Sequence, residues 1–478
     1  MHVAFLPRHA TSWVKMLDLA AVLKRDGSFS PLVLLTVEAL AGRRAECEAA
    51  GIECMDLVED LKACKIADGW IATAIRSAAD WFKRHDKLSA SLLGGILQSI
   101  TLRRQLRAEY DVFQNLFQTI APCALLAPGD RELSPVPPAL KAARDLGVPV
   151  VVAAFSSPYT EGLVQARQHL HRFQLAISKW PPLLNLLARF MLPHQAIATA
   201  RGAILFSPGW LTLTLAAEEM LSENPWIQGA GNSDFHLQHS YQRMADFIRL
   251  GAPSERMVMV GDVALDSLYR HFESRTGLRR SLDAQYGFMP DAPLAVFAVP
   301  NDAEHDVCSW DEHLERMDAF FKVLPSKSTN IVLSLHPKSP PERYAPLAGK
   351  YGLIIGQQRL YDILPAADLY ICSGSSTVLW AQLCGIPVLN LDYLNIRDAD
   401  FVSVSGIVNV VTPGELFSVL EQWRAGKNPF GDVLKRSTEL RKDCLFDGRS
   451  GARILDFLNT ISSGVKQVTL DGKRKSAA

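Results

Sequence analysis

Chemistry in this sequence concentrates where short apolar runs end in small, polar or charged residues. The run Leu369–Cys372 ends in Ser373-Gly374-Ser375-Ser376-Thr377, and a helical pattern begins at once. A helix start presents unpaired backbone N–H groups and partial positive charge, so it suits a phosphate. Gly374 lets the phosphate approach the backbone, and the four hydroxyls are donors. The same residues also suit a plain helix cap with Ser375 or Ser376 at its start. A second run, ending at Leu335, is followed by His336-Pro337-Lys338. The imidazole and ammonium fit a phosphate or a sugar hydroxyl, or simply the surface. A third run ends in Val299-Pro300-Asn301-Asp302. If all three are parallel strands, Asn301, His336, Lys338 and residues 373–377 share the edge where open α/β sheets hold their ligands.

The first half repeats this arrangement. Gly129-Asp130-Arg131-Glu132 follows the run ALLA, and Arg8-His9 follows the run at the N-terminus. Asp130, Glu132 or His9 suits a general base, with Arg131 as an orienting or binding partner. The plainer reading is an aspartate cap beside a surface Arg–Glu pair, which contributes little. No metal site is expected, and no cofactor is implied.

Strands alternating with helices must position these residues. Apolar runs at residues 2–6, 31–37, 54–58, 124–127 and 148–155 read as strands. Helical spacing at 11–24, 66–85, 89–110 and 138–146 separates them, which predicts a doubly wound parallel sheet. A further run at 257–260 closes the first set, and runs at 293–299, 330–335, 353–355, 369–372 and 387–391 predict a second, with a helix at 310–324. The expected organisation is a first domain over 1–265, a hinge at 266–290, a second domain over 291–463 and a disordered polar tail at 464–478. Residues 160–250 look like an insertion in the first domain, and 222–240 look like a loop within it.

The whole chain sets limits on function. Its 478 residues carry 50 Lys plus Arg against 50 Asp plus Glu, which excludes a dominant nucleic-acid binder. Eight scattered cysteines without C-x-x-C spacing read as reduced, buried thiols rather than a zinc or redox site. No signal-peptide pattern and no spanning apolar run is visible, so the expectation is a cytoplasmic protein. Residues 161–201 stand apart, with Arg167, Arg172, Lys179, Arg189 and Arg201 against the single acid Glu161. There Trp180, Leu183, Leu184, Leu186, Leu187, Phe190 and Met191 alternate with Lys179 and Arg189. This composition suits either an interfacial helix at an anionic membrane or a core helix with snorkelling arginines.

These segments together resemble the two-Rossmann GT-B glycosyltransferases and, within that fold, the UDP-N-acetylglucosamine 2-epimerase-like superfamily. Residues 5–36 are similar to its opening strand and arginine turn, with Arg8 at the arginine. Residues 124–156 are similar to its Gly-Asp-Arg strand end, with Asp130 and Arg131. MVMVGDVALDSL is similar to its interdomain segment, with Gly261 and Asp266. HPKSPP and SGSSTVLWAQLCGIPVLNLD are similar to its donor-binding segments. The resemblance implies an α/β GT-B fold with two Rossmann-like domains facing a cleft. It further implies a metal-independent glycosyltransferase of surface-polysaccharide biosynthesis using a nucleotide-sugar donor and a glycan or lipid-linked acceptor. In the family, a carboxylate pair after the glycine turn binds ribose. Here Val378-Leu379-Trp380-Ala381-Gln382 stands in that place, which favours transfer over 2-epimerisation. His-Pro followed later by Ser-Ser-Thr is also similar to bacterial sialyl-, Kdo- and CDP-glycerol transferases, so the donor nucleotide stays open between CMP or CDP and UDP. Under this resemblance Gly261, Asn301, His336, Lys338 and residues 373–377 fall to the donor, with His336 stabilising the leaving nucleotide. Two alternatives remain, a 2-epimerase and a nucleotide-sugar-binding subunit without catalysis.

Overall fold

The computed structural model describes residues 1–64, 92–131, 135–153, 164, 167–168, 170–174, 183–199, 202–304, 307–336, 339–395 and 404–463. The expected helix at 66–85 and the expected disordered tail lie outside these residues, as do Glu132, Lys179, Trp180, Arg201 and Lys338.

The chain forms two compact units. The first is Met1–Val263 together with the stretch from Gly451 onward, and the second is Ala264–Ser450. Each is built on a parallel sheet. In the first unit the strands are β1 (His2–Phe5), β2 (Ser30–Leu35), β3 (Glu53–Asp56), β4 (Ala124–Ala127), β5 (Val150–Ala153), β8 (Phe235–Gln238) and β9 (Met257–Met259). A two-stranded antiparallel hairpin, β6 (Ala196–Thr199) with β7 (Gly202–Leu205), stands apart from that sheet. The sheet order is β3-β2-β1-β4-β5-β8-β9, and every pairing in it is parallel. The strands are apolar on both faces because helices cover both. Side chains alternate across the sheet, so Val3 and Phe5 join one core with Trp13 and Leu237, while Ala4 and Leu6 join another with Phe113 and Phe117.

The second unit holds β10 (Leu294–Ala298), β11 (Asn330–Ser334), β12 (Ile354–Ile355), β13 (Leu369–Cys372), β14 (Val388–Leu391) and β15 (Ile407–Val410). Their order is β12-β11-β10-β13-β14-β15, again all parallel. Leu294, Val296 and Tyr370 pack on one face, and Ala295, Phe297 and Ile371 on the other.

Three expectations about organisation need correcting. The stretch expected to be a hinge forms the helices Val263–Glu273 and Arg275–Tyr286, which bury Leu265, Leu268 and Leu282 in the second unit's core. The last helix, Ser450–Ser462, belongs to the other unit. Its Ile454, Phe457 and Leu458 pack with Val3, Phe5 and Trp13, and Phe457 meets Phe235 edge-on at 5.1 Å. The chain therefore passes between the units twice. Within the second unit its two ends are tied together, because the buried Asp266 accepts the Ser450 amide at 3.0 Å. Thirdly, residues 235–238 form the buried strand β8 where a loop was expected.

Candidate functional site

Each sheet has one place where the strand order reverses, and Arg8, His9, Asp130, Arg131, Asn301, His336 and residues 373–377 lie at or beside it, while Gly261 follows β9 at the sheet edge. In the first unit the reversal is at the β1/β4 boundary, and in the second it is at β10/β13. At such a point the two flanking loops run apart and leave a crevice at the carboxyl ends of the strands.

In the second unit Asn301 follows β10, residues 373–377 follow β13, and His336 follows β11, the next strand outward. With neighbouring strands about 4.8 Å apart, these three tips span roughly 10 Å. Asn301 is half-buried and His336 is exposed. The backbone closes a turn after His336, whose carbonyl accepts the Ser339 amide at 2.8 Å.

A hydrogen-bonded scaffold stands beside these tips. The Tyr393 phenol, just past β14, donates to Asp302 Oδ2 at 2.6 Å. Arg316 donates to the same oxygen at 3.3 Å and lies 4.7 Å over the Tyr393 ring. Burial, reinforced by Asp302, pushes the Tyr393 phenol far above its usual range. This chain connects the tips of β10 and β14. Behind it, the fully buried His313 bonds the Tyr344 hydroxyl at 3.0 Å, and Tyr344 donates to Glu304 at 3.1 Å. Burial lowers the His313 pKa and raises that of Tyr344, so both stay neutral.

Asp302, Cys308 and His313 bring ligand-type atoms within 4.8 Å of one another. Arg316 already supplies the positive charge there, with Nη1 at 3.3 Å from Asp302 and 3.8 Å from Cys308 Sγ. The residues present thus fit an arginine cluster better than a divalent cation.

The turn at residues 373–377 differs from its expected form. Gly374 adopts φ +52°, and its amide donates inward to Asn390 Oδ1 at 2.9 Å. Asn390 is itself held by Asn409 at 2.8 Å. Thr377 bonds Tyr370 at 2.5 Å and Ser375 at 2.7 Å. The amides of Val378, Leu379 and Trp380 bond the carbonyls of Ser375, Ser376 and Thr377. The array of free amides read from the sequence is therefore absent, and the helix is the short Val378–Leu383. Gly374 and Ser376 are exposed, and Ser373, Ser375 and Thr377 are half-buried, so this rim offers hydroxyls on a fixed turn. Gln382 spends its side chain on the Ser405 carbonyl at 3.3 Å.

In the first unit, Ser12 shapes the corner after β1. Its hydroxyl accepts the amides of Arg8 and His9 at 3.1 and 3.0 Å and donates to the His9 carbonyl at 2.9 Å. The helix Ala10–Asp26 then starts with His9 at its cap. His9 is exposed and Arg8 half-buried at the carboxyl edge.

Asp130 is the clearest correction. It is 3 % exposed and accepts three hydrogen bonds, from the amides of Gly229 (3.1 Å) and Gly231 (2.9 Å) and the hydroxyl of Ser233 (2.9 Å). A carboxylate so engaged is a loop anchor, its oxygens committed to buried donors. The approach is close enough that a Cβ on Gly231 would lie 2.9 Å from the Asp130 carboxyl. Arg131 donates to the carbonyls of Pro225 and Trp226 at 3.4 and 3.3 Å, so it too holds this loop. Gly261 uses φ +86° to turn the chain out of β9 and bonds the Gln238 carbonyl at 3.1 Å.

Arg167 was missed as an individual residue. Its guanidinium lies 4.0 Å over the Phe206 ring, and its buried Nη1 has no hydrogen-bond partner among the described residues. Burial and the charge of Arg131 lower its pKa to about 10. Phe206 and Arg131 line one cavity with Ser222 and Asn232. The only hint in the sequence was the scarcity of acids around Arg167. The cysteines are free thiols, and burial pushes Cys47, Cys372 and Cys384 up to about 12, which leaves them unreactive.

No family model matches the sequence, and no curated protein matches it. Solved structures do match the fold. The Neisseria meningitidis UDP-GlcNAc 2-epimerase bound to UDP-GlcNAc is 13% identical, with a TM-score of 0.50 over 96% of this chain and 100% of that one. The calicheamicin glycosyltransferase CalG4 is 13% identical, with a TM-score of 0.51 over 98% of this chain and 99% of that one. Together with the two parallel sheets, these matches show an α/β GT-B fold with two Rossmann-like units.

Proposed function

We propose that this protein is a glycosyltransferase that uses a nucleotide-sugar donor, held on the second unit at the β10/β13 switch point. The observation that carries the reading is the set of polar strand tips there. Asn301, His336 and the hydroxyls of residues 373–377 stand at three adjacent parallel strand ends, stiffened by the Tyr393–Asp302–Arg316 cluster. Rigid polar groups of this kind stabilise charge on a departing nucleotide phosphate without reorganising. In this reading His336 and the serine hydroxyls bind the phosphate, Lys338 adds charge, and Asn301 orients the sugar.

In the transfer step the acceptor hydroxyl attacks the anomeric carbon, and the bond from that carbon to the phosphate oxygen breaks. The electron pair leaves with the nucleotide, and the hydroxyl proton passes to a base. Asp130 is committed to its loop, so the role falls to His9, exposed after β1, or to Glu132. Arg8 and Arg131 belong to the same edge. The helix after the glycine turn has no carboxylate, which supports transfer over 2-epimerisation. The acceptor is a glycan or lipid-linked sugar, and surface-polysaccharide synthesis is the setting we infer.

Calorimetric titration with CMP, CDP, UDP and GDP, followed by transfer assays with the matching nucleotide sugars, tests this. Binding of one nucleotide, turnover of its sugar, and loss of both on His336→Ala are expected. Interconversion of UDP-GlcNAc with its 2-epimer, seen by NMR, would replace the reading with epimerisation. Nucleotide binding without turnover of any donor would leave a binding subunit.

A further inference from the structure

The helix Leu183–Met191 is built inside out. The residues it buries are Asn185 and Ala188, at 2 % and 0 % exposure. Those on its outer face are Leu183, Leu186, Leu187, Phe190 and Met191, with Phe190 at 89 % exposure. Their spacing of i, i+3, i+4, i+7 and i+8 is a complete apolar stripe, which on an ordinary surface helix faces the core. Here polar and small groups anchor the helix. Asn185 accepts the Gly209 amide at 2.7 Å and donates to the carbonyls of Arg172 and Gln174 at 3.0 and 2.9 Å. The glycines allow the close seating. A Cβ on Gly209 would lie 2.4 Å from the Leu184 carbonyl oxygen, and one on Gly95 would lie 2.3 Å from the Leu184 side chain. Gly95 belongs to the long helix Leu92–Ile120, whose Ile96 and Ile100 are also exposed.

Charge selects the occupant of this stripe. Residues 162–217 contain no Asp or Glu, and of their arginines Arg167 is buried against Phe206 while Arg189 lies on this helix. Residues 88–108 likewise lack acids; Arg103 and Arg107 there pair with Glu218, and Arg104 is exposed. Arg189 stands exposed among the apolar side chains. A second copy meeting this face by two-fold symmetry would set like charges against like. An anionic lipid surface satisfies both features, taking the apolar stripe into the acyl boundary and the arginines at the headgroups.

We propose that the helix Leu183–Met191, with Ile96 and Ile100 beside it, is a peripheral docking surface for an anionic membrane. It lies on the first unit, the unit assigned above to the acceptor, and requires nothing of the nucleotide reading. The full chain is sedimented with phosphatidylcholine vesicles and with vesicles in which a third of the lipid is phosphatidylglycerol. Preferential binding to the anionic vesicles is expected, weakened by salt. Leu187→Ser with Phe190→Ser should reduce it about tenfold or more, and Arg189→Glu should reduce it with the apolar stripe intact. All these side chains are exposed, so thermal melts of the variants should match the parent. Failure to bind either vesicle, or binding unaffected by the double substitution, overturns the proposal. So does a concentration-dependent dimer in sedimentation velocity that the same double substitution abolishes.

Discussion

Asp130 and His9 show how residue type and residue role part company. Both are titratable groups at strand ends, and both looked equally suited to accept a proton. Only hydrogen bonding separates them, because Asp130 meets two glycine amides and a serine hydroxyl 99 to 103 residues away in sequence. That partner set comes from a loop whose path no local pattern reveals. Asp130→Ala should therefore cost about 2–4 kcal/mol of stability, since it strands three buried donors. His9→Ala should cost under about 1 kcal/mol and instead lower turnover. Chemical denaturation alongside transfer rates separates the two outcomes, and a stable but inactive Asp130→Ala would return that carboxylate to the chemistry. The rim residues were more legible, because serine, glycine and threonine at a strand end keep that position whatever their bonds.

At the scale of elements, the apolar strands were readable wherever burial on both faces made a continuous run, as in ALLA. β8, with the sequence FHLQ, was not. Its Phe235 and Leu237 join the apolar core, while His236 and Gln238 look like surface residues yet are fully buried on the other face. The helix-turn at 373–377 was located correctly, but the inward bond from Gly374 to Asn390 depends on the register of β13 beside β14. Burying His236 has a measurable consequence. Burial first, then the charges of His239 and Arg131, lower its pKa from 6.5 to about 3. Below about pH 6.5 the unfolded chain takes up a proton that the folded chain refuses until near pH 3, so stability falls as pH drops through that window. His236→Gln should remove about 2 kcal/mol of the stability difference between roughly pH 8 and pH 5, measured by urea denaturation. An unchanged difference would show that His236 protonates freely in the folded state.

At the scale of the molecule, the two α/β halves were visible in the order of strands and helices, but their true boundaries were not. The helix Ser450–Ser462 has ordinary amphipathic spacing, and nothing local says whose core receives it. Contact with Val3, Phe5 and Trp13 decides that. The second unit is continuous in sequence and the first is not. A fragment of residues 264–450 should give a cooperative thermal transition, while residues 1–263 alone should not. Adding 451–463 through a flexible linker should restore the transition, and a cooperative melt of 1–263 by itself would show those contacts to be dispensable. During synthesis the same arrangement imposes an order of events. The second unit leaves the ribosome complete, whereas the first waits, with Phe5, Trp13 and Phe235 uncovered, until residues 451–463 emerge. For that interval the nascent chain carries an exposed apolar face, and a chaperone that shields it should matter more to this protein's yield than its equilibrium stability would suggest.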